Sequence, residues 1–206
     1  MPRSTYENLV MVAATLFRQQ GYSASSISDI LTAADTAKGS LYHHFPGGKQ
    51  DLAIAAARHS SQCVLELMKG CFERARIGNG CFYDGVQYLI EEIALLFDAM
   101  ESHELSPVSA TLLNGASNEA FRKEAVSLFV EWKEAFITEG KRFGMAVDIV
   151  RYLGNKLLLL MEGAWVIARA VGHAGPIRDV GIIMREDQWS NPNMSSLTLM
   201  ASAETD

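Results

Sequence analysis

Hydrogen-bond donors are concentrated between residues 38 and 49 of the chain. Leu41 and Phe45 lie four residues apart in this stretch, so a helix from Ala37 to His44 would bury both on one face and turn its other side chains outward. Ammonium, hydroxyl and imidazole groups on an exposed helix can donate hydrogen bonds to base edges and phosphate oxygens. The pattern therefore favours contact with double-stranded DNA. The outward residues are Lys38, Gly39, Ser40, Tyr42, His43 and His44.

The place of each residue along this helix predicts its role. Lys38 and Ser40 lie near the N-terminus, the part of a recognition helix that meets base edges, and Gly39 between them allows a close backbone approach. Tyr42 and the two histidines lie toward the C-terminus and are better placed for phosphate oxygens. Lys49 opens the following helix and adds another phosphate donor.

A shorter helix and a tight turn must position these donors. Apolar residues at the spacing of one buried helical face predict a helix from Ser26 to Ala33. Ser25 or Ser26 would cap its N-terminus, and both are included among the candidate DNA contacts. Asp35 lies at the turn, where its residue type tolerates a left-handed conformation, and Thr36 could cap the second helix.

A longer helix is expected to support this pair from beneath. It would run from Thr5 to Gln20 and start at a capping box formed by Ser4 or Thr5 with Glu7. Three helices in this order make a compact DNA-binding unit.

Together these residues resemble the N-terminal domain of the TetR family of transcriptional regulators. The similarity implies a three-helix domain with a helix-turn-helix that binds DNA. The residues that carry it are Ala13, Leu16-Phe17, Gly21-Tyr22, Ile27, Asp29-Ile30, Ala34, Lys38-Gly39-Ser40, Leu41-Tyr42, His44-Phe45, Lys49 and Leu52.

Later segments are similar to one branch of that family, the LmrA/YxaF-like regulators. They include Ser106-Pro107-Val108, residues 121–136 with Trp132, and residues 157–164, and the run HHFPGGK carries the extra residue typical of this branch. The resemblance implies a repressor that binds a palindromic operator as a homodimer. It also implies release from DNA by a small apolar or aromatic effector.

The remaining sequence has helical periodicity, which predicts an all-α fold. We expect residues 1–48 to form the DNA-binding domain, 49–188 a helical ligand-binding and dimerisation domain, and 189–206 a flexible C-terminal tail. A long helix would join the first two domains. The helices expected beyond residue 48 span about 49–76, 80–102, 107–117, 119–142 and 147–171, with a last one from Pro176.

Large soft side chains are concentrated in these helices. Many would be ordinary core residues, but the resemblance implies an effector cavity among the same helices. The candidate ligand-binding residues are Phe72, Phe97, Met100, Trp132, Phe136 and Trp165.

The helix at 147–171 has apolar residues on nearly all sides, more than the ~100° stripe of a surface helix. A second copy of the chain could cover one face. Ile177, Val180, Ile183 and Met184 would then add a second helix to the interface. A fully buried core within one chain is the alternative.

The net charge of −6 is unevenly distributed. Residues 1–60 carry five basic and four acidic side chains, a net charge of +1, so the remainder carries −7. A nearly neutral DNA-binding domain gives a weak electrostatic attraction, so binding is expected to need two such domains. The sequence has neither the pattern of a signal peptide nor an apolar run long enough for a membrane span, which predicts a cytoplasmic protein without membrane contact.

Sequence motifs of enzymes are absent, so we expect neither catalysis, nor a metal site, nor a cofactor. Cys63, Cys71 and Cys81 have no metal-ligand spacing. Cys63 and Cys71 lie close to one helical face and could form a redox switch, although small buried hydrophobic residues explain them better. The other function that the sequence allows is a small-molecule-binding helical module that acts through a protein partner without DNA.

Overall fold

The computed structural model describes residues 4–100, 106–113 and 118–190, and all regular structure in these ranges is helical. The fold class predicted from the sequence is therefore confirmed. The elements are α1 (Thr5–Ala24), α2 (Ile27–Ala33), α3 (Lys38–His44), α4 (Lys49–Ile77), α5 (Phe82–Asp98), the π-helical turn π1 (Ser109–Leu113), α6 (Glu119–Arg142), α7 (Val147–Val171) and α8 (Gly175–Ser190).

The chain divides into two compact units. Unit 1 spans residues 1–64 and 104–129, and unit 2 spans residues 65–103 and 130–206. Helices α4 and α6 each begin in unit 1 and end in unit 2. The boundary predicted at residue 48, between a DNA-binding and a ligand-binding domain, is based on function and not on packing. It stays a prediction.

In unit 1, α1 supports α2 and α3. The helix begins at a capping box in which the Ser4 hydroxyl accepts from the Glu7 N–H and the Glu7 carboxylate accepts from the Ser4 N–H. Leu9 and Phe17 are completely buried on its inner face. The helix continues past the predicted end at Gln20, because Gly21 adopts a φ of 81° and lets the chain kink before the last turn.

The structure departs from the predicted helices over residues 80–102 and 107–117. Helix α5 ends at Asp98, and the helix predicted over residues 107–117 contains a five-residue π-helical turn, π1, that packs against α1. Ala110 and Leu112 are buried in π1. A wider turn of this kind has no periodic signature, so the sequence pattern could not distinguish it from an α-helix.

Unit 2 has its own core, in which α8 packs against α5 and α7. The Gln87 side-chain amide donates to the Gly181 carbonyl at 2.7 Å, which fixes α8 against α5. At the start of α8, Asp98 accepts from the Ala174 N–H at 2.9 Å and from Arg178 at 2.8 Å. The hydrogen bond from Arg178, followed by that from the Ala174 N–H, holds the pKa of Asp98 below its usual value.

The orientation of α8 corrects one expectation. Ile177, Val180 and Met184 were expected on a partner-facing surface, but all three are buried in the core of unit 2. Over residues 175–186 of this helix, the exposed apolar side chains include Ile182 and Ile183. The sequence offers two apolar faces on α8, and its periodicity does not say which one meets the rest of the same chain.

Within residues 4–100, 106–113 and 118–190, no helix combines the length and apolar character that a membrane span requires. The flexible tail predicted over residues 189–206 lies outside the described residues, apart from the end of α8.

Gly85 on α5 is required by close packing in unit 2. A Cβ atom at this position would overlap the ring of Phe72, which is completely buried on α4. Gly85→Ala is therefore expected to lower the free energy of unfolding by about 1–3 kcal/mol, the usual cost of overpacking a core. Gly70→Ala is the matched control, since a Cβ on this helical glycine would meet nothing within 4 Å. Denaturant titration should show a lower midpoint for Gly85→Ala and an equal or higher one for Gly70→Ala. Equal midpoints for Gly85→Ala and the parent would contradict the packing.

Candidate nucleic-acid interface

Helix α3 has one apolar side and one polar side. Leu41 is 0% exposed and Phe45, its C-cap, is buried, as the sequence predicts. The polar side carries the predicted donors at the surface. Lys38, Gly39, Tyr42, His43 and His44 are exposed, and Ser40 is half-buried.

The turn between α2 and α3 forms as its residue types predict. Ser26, rather than Ser25, caps α2 in a capping box with Asp29. Asp35 adopts a φ of 47°, the left-handed conformation expected at this position. Thr36 does not cap α3, because its hydroxyl donates to the Ala34 carbonyl at 2.9 Å. The N-cap of α3 is Ala37, which makes no side-chain capping bond.

Two contacts attach α2 and α3 to α1. The side-chain amide of Asn8 donates to the Ala34 carbonyl at 2.7 Å, which ties α1 to the end of α2. The rings of Tyr6 and Phe45 stack with centroids 5.1 Å apart, which ties α1 to the end of α3. Helix α1 thus holds both the end of α2, just before the turn, and the C-terminal end of α3.

Ser25 does not belong to the exposed set. It is 0% exposed, and its hydroxyl donates to the Gly21 carbonyl at 3.0 Å and lies 3.3 Å from the Leu16 carbonyl. Its hydroxyl is used to close the kinked end of α1. We therefore drop Ser25 from the candidate DNA contacts, whereas Ser26 remains exposed.

Lys49 is the first residue of α4 and follows a short loop that contains Gly48 at a φ of 65°. The Lys49 ammonium nitrogen lies 4.3 Å from the ring centroid of Tyr22, and burial lowers the pKa of this lysine. Tyr22 was not predicted from the sequence as a partner of Lys49. The two residues are distant in the chain, so only the fold reveals the contact.

The six candidate ligand-binding residues all lie in unit 2, in two different environments. Phe72, Phe97 and Phe136 are almost completely buried, whereas Met100, Trp132 and Trp165 are half-buried. The structure brings Phe72 and Phe136 together at 5.8 Å between centroids, and Phe97 and Trp165 at 5.5 Å.

The described residues of unit 1 include two open grooves, and none of these six residues lines either. The larger has a volume of about 760 Å³ and lies among α1, the end of α3 and α4, with Tyr6, His44 and Arg58 in its wall. The smaller has a volume of about 300 Å³ and lies beside Asn8 and Leu16. Arg58 forms an ion pair with Glu124 at 2.7 Å.

The three cysteines differ in environment. Cys63 is exposed, Cys81 is half-buried, and Cys71 is buried in the core of unit 2. Burial raises the pKa of the Cys71 thiol to about 11, so this cysteine is protonated near neutral pH and a poor nucleophile. The described part of the chain holds no cluster of three or more His, Cys, Asp or Glu side chains suited to a metal ion.

Comparison with known proteins identifies both parts of the chain. Residues 9–56 match the model of bacterial regulatory proteins of the tetR family, and residues 83–182 match the C-terminal domain of LmrA/YxaF-like transcriptional regulators. The first match includes α2, α3 and the start of α4. The second includes most of α5, π1, α6 and α7 and the first half of α8.

Full-length relatives agree with this assignment. The chain is 28% identical to the Bacillus subtilis regulator YxaF, over 79% of this chain and 83% of YxaF. It is 24% identical to LmrA from the same organism, over 83% of this chain and 89% of LmrA.

A solved structure shares the fold. It is a cysteine mutant of the TetR-family regulator CifR in complex with 26-bp operator DNA, with a TM-score of 0.69 and 21% identity. The match covers 93% of this chain and 100% of CifR. The two family matches, the relatives and the polar side of α3 lead to one conclusion: this chain is a DNA-binding, non-enzymatic transcriptional regulator of the TetR family with an LmrA/YxaF-like C-terminal domain.

Proposed function

We propose that this regulator is a cytoplasmic, ligand-responsive repressor that binds a palindromic operator as a homodimer and is released by a small apolar or aromatic effector. The observation that carries the proposal is the two-sided structure of α3. Its apolar residues hold the helix in place, and its exposed donors remain available to a duplex. Operator recognition by this surface would follow the usual helix-turn-helix geometry.

Direct contact with bases is assigned to the start of α3. Lys38 and Ser40 lie in the first turn, from which an ammonium group can donate to guanine and a hydroxyl can bond to several base edges. Tyr42, His43 and His44 follow toward the C-terminus and would bind phosphates, together with Ser26 and Lys49. The phosphate contacts would orient the helix, and the base contacts would give sequence preference.

The direct test is selection of random duplex DNA on the purified full-length protein at two salt concentrations, followed by sequencing of the retained duplexes. A palindromic motif whose retention falls steeply with salt would support a dimeric operator reader. Folded, dimeric protein that retains no motif at either salt concentration would rule out the proposed operator reading.

Gly39 provides a probe of how closely α3 approaches DNA. A Cβ atom there would meet nothing within 4 Å in the protein, and alanine is a better helix former than glycine. Gly39→Ala should therefore keep or raise the free energy of unfolding while it weakens operator affinity by about tenfold, equivalent to about 1.4 kcal/mol. Fluorescence anisotropy with the selected duplex measures the affinity, and Gly70→Ala is again the control. Unchanged affinity would show that α3 does not approach DNA at this residue.

Exposed apolar residues on α7 and α8 support the homodimer. Leu159 is 75% exposed, Val166 and Ile182 are each 62% exposed, and Ile167 is 55% exposed. Helices α7 and α8 pack against each other within unit 2, so their exposed sides can form one surface. A second copy of the chain would remove these side chains from water, and a homodimer gives the two DNA-binding domains that a palindrome needs.

A charge on this surface should separate the dimer. Ile167→Glu would place a carboxylate where apolar contact is proposed, so sedimentation should show a shift toward monomer and operator affinity should fall at least about tenfold. Leu95→Glu on α5 is the matched control, because Leu95 is 50% exposed and lies on another helix. The proposed surface would be wrong if Ile167→Glu remained dimeric at the concentrations at which the parent does.

The aromatic residues of unit 2 are the proposed effector site. Phe72, Phe97 and Phe136 supply buried apolar surface, Trp165 contacts Phe97, and the half-buried Trp132 and Met100 complete the proposed set. An effector releases DNA only to the extent that it prefers the conformation that does not bind DNA.

Trp132→Ala should weaken the response to effector without weakening operator binding, because Trp132 lies in unit 2 and far along the sequence from the donors of α3. A panel of aromatic compounds is titrated into the complex of protein and selected duplex, and release is followed by anisotropy. The concentration for half release by an active compound should rise about tenfold in the variant, the loss expected when an aromatic contact is removed. An unchanged concentration would remove Trp132 from the proposed site.

A further inference from the structure

The two lysines assigned to DNA contact are held differently. Lys38 is exposed and its ammonium nitrogen is 6.0 Å from the centroid of the exposed Tyr42 ring, at the outer limit of a cation–π contact. Lys49 is half-buried, and its ammonium nitrogen is 4.3 Å from the Tyr22 centroid. One lysine is therefore free to reorient and the other is attached to an aromatic surface.

Tyr22 is itself held in place by two other rings. It meets Phe121 edge-to-face, with centroids 4.9 Å apart and planes at 87°, and it lies 5.7 Å from Phe17. Phe121 and Phe17 are both buried. The ring has little freedom to turn, so the surface that it offers to Lys49 is fixed.

A lysine that is held in this way has less conformational freedom to lose when it binds. A free lysine side chain has four rotatable bonds, and ordering them opposes binding. An ammonium on an aromatic face still has donors directed away from the ring, and these can reach a phosphate oxygen. The contact with Tyr22 would thus position the Lys49 ammonium and leave its other N–H donors available for a DNA phosphate.

We propose that Tyr22 is a positioning residue for DNA binding, which holds the Lys49 ammonium ready to contact a phosphate of the duplex. The proposal rests on the function proposed above, since it requires that Lys49 contact DNA. It assigns a role in DNA affinity to a residue that does not itself touch the duplex. Because a phosphate contact carries no sequence information, its loss should affect any duplex equally.

A double-mutant cycle tests this with the full-length protein. The variants are Tyr22→Leu, which removes the ring, Lys49→Met, which removes the charge, and the pair combined. Two probes are used, the duplex retained in the selection and a random-sequence duplex of equal length. Affinities are measured over a series of salt concentrations.

Tyr22→Leu is expected to lower affinity for both probes about two- to fivefold, the range of a cation–π contact. Lys49→Met should reduce the slope of log affinity against log salt by about 0.9, as expected for one lost phosphate contact. In the Lys49→Met background, Tyr22→Leu should cause no further loss. Additive losses, or an affinity of Tyr22→Leu equal to or above that of the parent, would overturn the proposal.

A second series removes the electrostatic contact but keeps the shape of the ring. The Tyr22→Phe variant should bind the duplex as tightly as the parent. Variants with phenylalanines that carry increasing numbers of ring fluorines at position 22 should bind progressively more weakly, because fluorine withdraws electron density from the ring face and weakens its attraction for the Lys49 ammonium. A flat series would overturn the proposal even if Tyr22→Leu failed to fold.

The outcomes also separate this proposal from the function on which it rests. Equal affinity of the parent for both probes would refute operator recognition, while the cycle would still decide the role of Tyr22. Binding to neither probe would refute both.

Discussion

The burial of one side of α3 is the constraint on which the proposed DNA-binding surface depends. The helix has seven residues, well below the ~12–15 that an isolated helix needs in water, so its own backbone hydrogen bonds do not stabilise it. Packing of Leu41 and the stack of Phe45 on Tyr6 hold it against α1 instead. Because apolar contacts hold the helix, its polar side chains can remain at the surface, where the proposed function requires them.

The core of unit 2 contains a cluster of aromatic rings in contact with one another. Phe72 meets Phe82, Phe136 and Phe143 at centroid distances of 5.1–6.2 Å. Close-packed interiors contain few voids larger than a water molecule. A molecule that binds among these rings must therefore displace some of them, and it exchanges contacts between rings for contacts with itself. Under the proposed function, this interior would respond to an effector by repacking, and effector binding would then be linked to a change of conformation.

Much of the fold could be predicted because local signals agree with tertiary packing. The capping box at Ser4 and Glu7 predicts the start of α1. The residue type of Asp35 predicts the left-handed turn before α3. These features depend on residues close in the sequence, so a pattern of a few positions is sufficient to find them.

The failures have a common physical cause, which is competition among partners that the sequence cannot rank. Ser25 could have capped a helix or met DNA, but nearby carbonyls take its hydroxyl. Met184 could have faced a partner copy, but the core of unit 2 buries it. The contact of Tyr22 with Lys49 joins residues 27 positions apart and follows from the arrangement of α1 and α4. Choices of this kind are settled by three-dimensional packing rather than by residue type.

The open space around Gly39 has a consequence for how such regulators diverge. A Cβ atom added at this position would meet no protein atom within 4 Å, so packing within the protein does not require glycine there. A buried position such as Leu41 is constrained by packing, and a destabilising mutation there is removed before it can alter function. Position 39 lies between the two residues assigned to base contact, so selection there would act on sequence preference alone. A lineage could acquire a new target sequence by mutation at this position without passing through an unstable intermediate.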